Sequence, residues 1–128
     1  IDAFEFEQAT GRLTHLQRVS TLRPDSTARS ACADIHASGR FLYGSNRGDD
    51  SIVVCEIAQA NGLLKVRGHV ATGGGHPRNF CIDPSDRWLL AANRDSNNVV
   101  VFRLDPQSGI PEPHAEFHVP APVCLLFA

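Results

Sequence analysis

The feature that most constrains this chain is that it repeats itself. Residues 38–63, SGRFLYGSNRGDDSIVVCEIAQANGL, lie without a gap on residues 85–110, SDRWLLAANRDSNNVVVFRLDPQSGI, 47 positions later, and eight of the 26 positions are identical. These are Ser38/Ser85, Arg40/Arg87, Leu42/Leu89, Asn46/Asn93, Arg47/Arg94, Val53/Val100, Val54/Val101 and Gly62/Gly109. A partial third copy opens the chain, where Phe4-Glu5-Phe6 and Gly11-Arg12-Leu13 follow the pattern of Phe102-Arg103-Leu104 and Gly109-Ile110. Self-similarity at a fixed period of this size marks a fold built from stacked copies of one unit.

Each unit reads as short apolar runs separated by turn chemistry, with no competing helical period. In the last copy the runs are Cys81–Asp83, Trp88–Ala92 and Val99–Leu104, divided by Ser85-Asp86, Asp95-Ser96-Asn97-Asn98 and Gln107-Ser108-Gly109. A fourth run, Glu112–Val119, is interrupted by Glu, His and Pro, as an edge strand tolerates. Four antiparallel strands in about 47 residues make one blade of a β-propeller. The expected fold is therefore all-β, with about two and three-quarter four-stranded blades. The expected division is 1–21 as the last two strands of one blade, 33–70 and 77–119 as full blades, and 120–128 as the first strand of the next. Eleven strands are expected. They are too few to close a ring, which predicts self-association or a missing N-terminal propeller segment to cover the open blade faces. The chain contains no methionine, which suggests processing or a longer parent.

Composition narrows the partners. Twelve basic against fourteen acidic residues, with no run of either sign, argue against nucleic acid. The longest apolar stretch, Val119–Ala128, is broken by Pro120 and Pro122 and is too short for a membrane span. Cys32, Cys55, Cys81 and Cys124 are widely spaced and form no CxxC pair, so they read as reduced thiols packed like small apolar groups, which points to the cytoplasm.

Several segments together resemble the lactonase family of seven-bladed propellers. They are Ala33-Asp34-Ile35-His36, Gly39-Arg40-Phe41-Leu42-Tyr43-Gly44-Ser45-Asn46-Arg47-Gly48, Pro77-Arg78-Asn79-Phe80 and Asn93-Arg94-Asp95-Ser96, with the ending Pro120-Ala121-Pro122-Val123-Cys124. The likeness implies a central channel lined by the innermost strands and hydrolysis of a small anionic sugar lactone, 6-phosphogluconolactone, without a cofactor or metal. A carboxymuconate-type lactonizing activity, or a binding module with no catalysis, is the alternative, because a fold alone does not decide function.

His36 is the first catalytic candidate. It follows a predicted inner strand, and the 47-residue period sets it opposite Asp83, so it breaks the repeat. Its imidazole would serve as general base toward an attacking water, while a structural histidine is the competing reading. Arg47 and Arg78 are the accompanying catalytic candidates, as guanidinium clamps for an anion and for the oxyanion. Arg47 and Arg94 share one repeat position, so bracing of adjacent blades is equally open for them. Asp34, Asn46, His76 and Arg94 complete the expected substrate-binding set. Arg40 and Arg87 read as architecture, Gly73-Gly74-Gly75 as a flexible inter-blade connection, and Trp88 and Phe102 as inter-blade packing. His15, His69, His114 and His118 are expected in solvent.

Overall fold

The computed structural model describes residues 1–29 and 31–127. Ten strands form three antiparallel sheets. The first sheet is the hairpin β1 (Asp2–Glu7) and β2 (Arg12–Arg18). The second holds β3 (Ala31–Ser38), β4 (Phe41–Arg47), β5 (Ser51–Ile57) and β6 (Leu64–Ala71) in chain order. The third holds β7 (Pro77–Ile82), β8 (Trp88–Asn93), β9 (Asn98–Leu104) and β10 (Pro111–His118), also in chain order. Each four-stranded meander is one blade, and β1 with β2 is the outer half of another.

Alternation along the strands explains the stacking, because successive side chains face opposite sides of a sheet. Phe41, Tyr43, Ile52 and Val54 leave one face of the second sheet and meet Phe80, Leu89, Ala91, Val100, Phe102 and Leu104 of the third in one buried cluster. The opposite face of the second sheet offers Val53, Cys55 and Leu64 to Ile1, Ala3 and Val19. Gln17 ties the hairpin to that sheet, donating to the Leu64 carbonyl at 3.0 Å and accepting from the Leu64 amide at 2.7 Å.

The partial third copy is visible in the turns. Gly11, Gly62 and Gly109 have φ of 70°, 70° and 73°, and each donates its amide to the carbonyl four residues earlier, at 2.8, 2.7 and 2.8 Å. Only glycine adopts this left-handed conformation without steric cost, which is why it recurs at the third-to-fourth-strand turn.

Four expectations are corrected. The segment after β10 forms no strand among the described residues; the Leu125 amide bonds the Asn79 side chain at 2.7 Å instead of a backbone ladder. Gly73-Gly74-Gly75 is a packed connection, since a Cβ on Gly74 would lie 2.5 Å from Asn98 Oδ1 and 2.7 Å from Asn93 Cβ. Cys55 is buried, but Cys32 and Cys124 are exposed. His69 is half-buried and bonds the Thr21 carbonyl at 3.1 Å, whereas His15, His114 and His118 are exposed as expected.

Candidate active site

The innermost strands β3 and β7 lie side by side, and each carries a bulge, between Cys32 and Ile35 and between Pro77 and Asn79. A bulge turns side chains out of the regular alternation. Pairing with β4 and β8 shows which residues correspond. His36 pairs with Tyr43, and Cys81 with Leu90, so His36 occupies the place of Cys81, 45 positions away, and not that of Asp83. The 47-residue period fails here because the turns differ in length. Ser38 pairs directly with Phe41 around Gly39-Arg40, whereas Asp83 meets Trp88 across four residues. Ser38 and Ser85 are thus identical in type but not equivalent in place.

The shift aligns Asp34 with Asn79, and these two residues touch. Asn79 Nδ2 donates to Asp34 Oδ2, and the Phe80 amide approaches the same oxygen at 3.4 Å. His36 Nε2 lies 3.2 Å from it, while Asp34 Oδ1 accepts from the Ile35 amide at 2.9 Å. The His36 ring stands edge-on to Phe80, with centres 4.8 Å apart. A carboxylate only accepts, so the neutral imidazole tautomer that satisfies this contact is the one with its proton on Nε2 and a lone pair on Nδ1. Asp34 thus orients a half-exposed imidazole through its Nε2 edge.

Arg78 stands one residue before Asn79, exposed in the β7 bulge, and makes no hydrogen bond or ion pair with the described residues. Asn79 was quoted above only as part of a motif. The signal that finds it is the 45-residue spacing of the inner strands, which sets an amide in the slot of a carboxylate. The tail lies over the same region, where Leu125, Leu126 and Phe127 bound a cleft of about 340 Å³ with His36 and Cys81. Burial, followed by the charge of Asp34, pushes the Cys81 thiol above its ordinary range, which leaves it a poor nucleophile.

The other candidates lie elsewhere. Arg47 ends β4 and donates to the carbonyls of Ala31 at 3.1 Å and Cys32 at 3.3 Å, bracing the entry of β3. Asn46 is buried, and its Nδ2 donates to the Thr21 carbonyl at 2.7 Å; a side chain enclosed in this way is a structural link and cannot meet a substrate. Asn93 repeats the link, donating to Thr72 at 3.0 Å. Arg94 bonds Asp95 at 2.7 Å and holds that carboxyl below the usual range. His76 Nδ1 lies 3.6 Å from Asp95 in the connection before β7, with its backbone at φ 60°. Arg94 and His76 thus form a group of their own with Asp95, apart from Asp34 and His36.

Stacked four-stranded meanders with polar side chains gathered on their inner strands define a segment of a β-propeller. Comparison with known proteins specifies it. The model of the family described as lactonase, 7-bladed beta-propeller matches residues 1–127, and the chain belongs to that family. A 6-phosphogluconolactonase of Formosa agariphila is 58% identical over 81 residues, covering 60% of this chain and 23% of that protein. A 6-phosphogluconolactonase of Bacillus subtilis is 38% identical over 131 residues, covering 98% of this chain and 37% of that protein. The solved structure described as a periplasmic gluconolactonase, PpgL, of Pseudomonas aeruginosa superposes with a TM-score of 0.87 at 32% identity, covering 94% of this chain and 34% of that one. The chain thus spans from under a quarter to somewhat over a third of the length of these relatives.

Proposed function

We propose that this chain carries part of the site of a lactonase that opens 6-phosphogluconolactone by attack of water on the ring ester. The observation that supports this reading is the Asp34–His36 pair, held against Asn79 beside the unpaired Arg78 on adjacent inner strands. His36 Nδ1 takes a proton from water as its oxygen adds to the carbonyl carbon, and the resulting imidazolium is stabilised by Asp34 through Nε2–H. Arg78 supplies a fixed cation for the negative charge that develops on the carbonyl oxygen, or for the substrate phosphate. Collapse of the tetrahedral adduct breaks the ring C–O bond, and the imidazolium returns its proton to the leaving hydroxyl oxygen. The product is the open hydroxy acid, and Cys81 takes no part. Arg47, Arg94, Asn46 and His76 keep the blades in place. The unpaired thiols of Cys55, Cys81 and Cys124 support a reducing compartment, the cytoplasm.

The test is hydrolysis of 6-phosphogluconolactone by the 128-residue chain, corrected for spontaneous opening, beside His36→Ala and Arg78→Ala. The expected loss for His36→Ala is ~10²-fold or more in kcat. For Arg78→Ala it is a larger fall in kcat/KM on the phosphorylated lactone than on gluconolactone. A rate above the blank that is unmoved by both His36→Ala and Arg78→Ala overturns the reading.

A further inference from the structure

Side chains of the inner strands reach the next segment at one recurring place. Asp34, Asn79 and Cys124 stand 45 positions apart, as do Phe80 and Leu125. The Phe80 amide approaches Asp34 Oδ2 at 3.4 Å, and one step further along the Leu125 amide donates to Asn79 Oδ1 at 2.7 Å. The same contact is thus made twice, by a carboxylate in one case and by a carboxamide in the other.

The two side chains differ in what they can give back. An ionised carboxylate only accepts, whereas a carboxamide accepts at one end and donates at the other. With Oδ1 taken by Leu125, the Asn79 amide has a defined sense, and its Nδ2 is turned to Asp34 Oδ2. A reversed amide would set oxygen against carboxylate and NH2 against N–H, exchanging two attractive contacts for two repulsive ones. The rest of Asp34 is also held: its amide donates to Ser45 Oγ at 3.1 Å, and its Oδ1 accepts from the Ile35 amide at 2.9 Å. Oδ2 is therefore the oxygen that Asn79 and His36 share, with His36 Nε2 at 3.2 Å.

We propose that Asn79 is a positioning residue: it seats Asp34 Oδ2 so that His36 keeps its proton on Nε2 and the lone pair on Nδ1, the nitrogen away from the carboxylate. Asn79 acts through Asp34 and moves no proton itself. Aspartate at position 79 would set a second negative charge against Asp34, and alanine would leave both Asp34 and the Leu125 amide without their link. As a role in the reaction, the assignment rests on the reading of His36 as the base.

Nitrogen-15 spectra distinguish the two neutral imidazole tautomers, and His36 is assigned by the signal lost in His36→Ala. At about pH 8.5, where an ordinary imidazole is neutral, the wild-type chain is expected to show His36 protonated on Nε2. Asn79→Asp is expected to move His36 to the mixed tautomers of a free imidazole, and Asn79→Ala to do so in part. Combining Asp34→Asn with Asn79→Asp rebuilds the contact in the opposite sense, with acceptors still offered to the Ile35 and Leu125 amides, so its urea midpoint is expected to stay near wild type. An NH2 group then fills the place of Oδ2, Nε2 must accept, and the proton moves to Nδ1. A purely structural Asn79 predicts instead that the exchange returns the wild-type signal. In turnover, Asn79→Ala is expected to lower kcat about tenfold with little change in KM.

Each variant is checked for native circular dichroism, and the wild-type spectrum with Asn79→Ala decides the matter if Asn79→Asp loses its fold. A wild-type His36 protonated on Nδ1, an Nε2–H signal unmoved by the Asn79 single variants, or an exchanged chain that regains that signal overturns the proposal. The spectra require no turnover, so a rate indifferent to His36→Ala strikes the lactonase reading while the positioning is judged on its own.

Discussion

Tyr43 donates its phenolic hydrogen to the carbonyl of Gly109 at 2.9 Å, and this bond closes the boundary between two blades. Burial, reinforced by the charge of Asp86, pushes the phenol up to about 12. Tyr43 is the chain's sole tyrosine, so the phenolate absorbance band of the native protein reports this group alone. The folded pKa lies above the ordinary value of 10.0, so the stabilisation is complete below that pH and is lost as pH rises through about 12. Tyr43→Phe leaves the buried Gly109 carbonyl without this donor and is expected to cost about 1–3 kcal/mol in chemical denaturation.

Asn46 and Asn93 make the same bond to a backbone carbonyl, but their surroundings differ. Asn46 also donates to Ser51 Oγ at 3.3 Å and accepts from Cys32 Sγ at 3.5 Å, whereas Asn93 Oδ1 is buried without a hydrogen-bond partner among the described residues. Asn46→Ala is therefore expected to destabilise more than Asn93→Ala, by about 1–3 kcal/mol against a smaller loss. Urea midpoints of the two variants measured together decide it.

A methyl group at Gly74 has no room. It would fall 2.5 Å from Asn98 Oδ1 and 2.8 Å from Asn93 Nδ2, both on buried side chains that hold the connection to the sheet. Gly74→Ala is expected to cost about 1–3 kcal/mol through overpacking, seen as a lower melting temperature.

Acid should unfold the chain through aspartates that accept hydrogen bonds. Burial alone would raise Asp49 and Asp83, but the bonds from Ser51, Ser26 and Arg23 to Asp49, and from Ser85, Trp88 and Arg87 to Asp83, outweigh it and leave both lowered. A carboxyl lowered in the folded state contributes stability above its unfolded pKa and loses it as pH falls through the folded value. The urea midpoint is expected to be level near pH 6 and to fall steadily below about pH 4. A Ser26→Ala, Ser51→Ala chain should show a shallower fall, because Asp49 then gains less on ionising.

Much of this molecule was legible in its sequence. The apolar runs within Phe41–Arg47 and Ser51–Ile57, bounded by turn residues, and the recurrence of Gly11, Gly62 and Gly109, sufficed for the strands and their turns, because both depend on neighbours a few residues away. The repeat also separated blade from blade, since each copy must bury the same two faces. The site was harder to find. Asp34 and Asn79 are 45 residues apart and meet only because two inner strands lie side by side with matching bulges. His36 loses its assigned counterpart through a turn two residues shorter, a change that leaves the apolar pattern intact. Asn46, polar and beside Arg47, reads like a site residue, yet the fold buries it beneath Thr21. The tail carries the residues of a strand, but a strand exists only when another offers it a ladder, and here Leu125 bonds the Asn79 side chain instead. Short-range chemistry was thus written in the order of residues, and what the inner strands bring together was decided by contacts made only on folding.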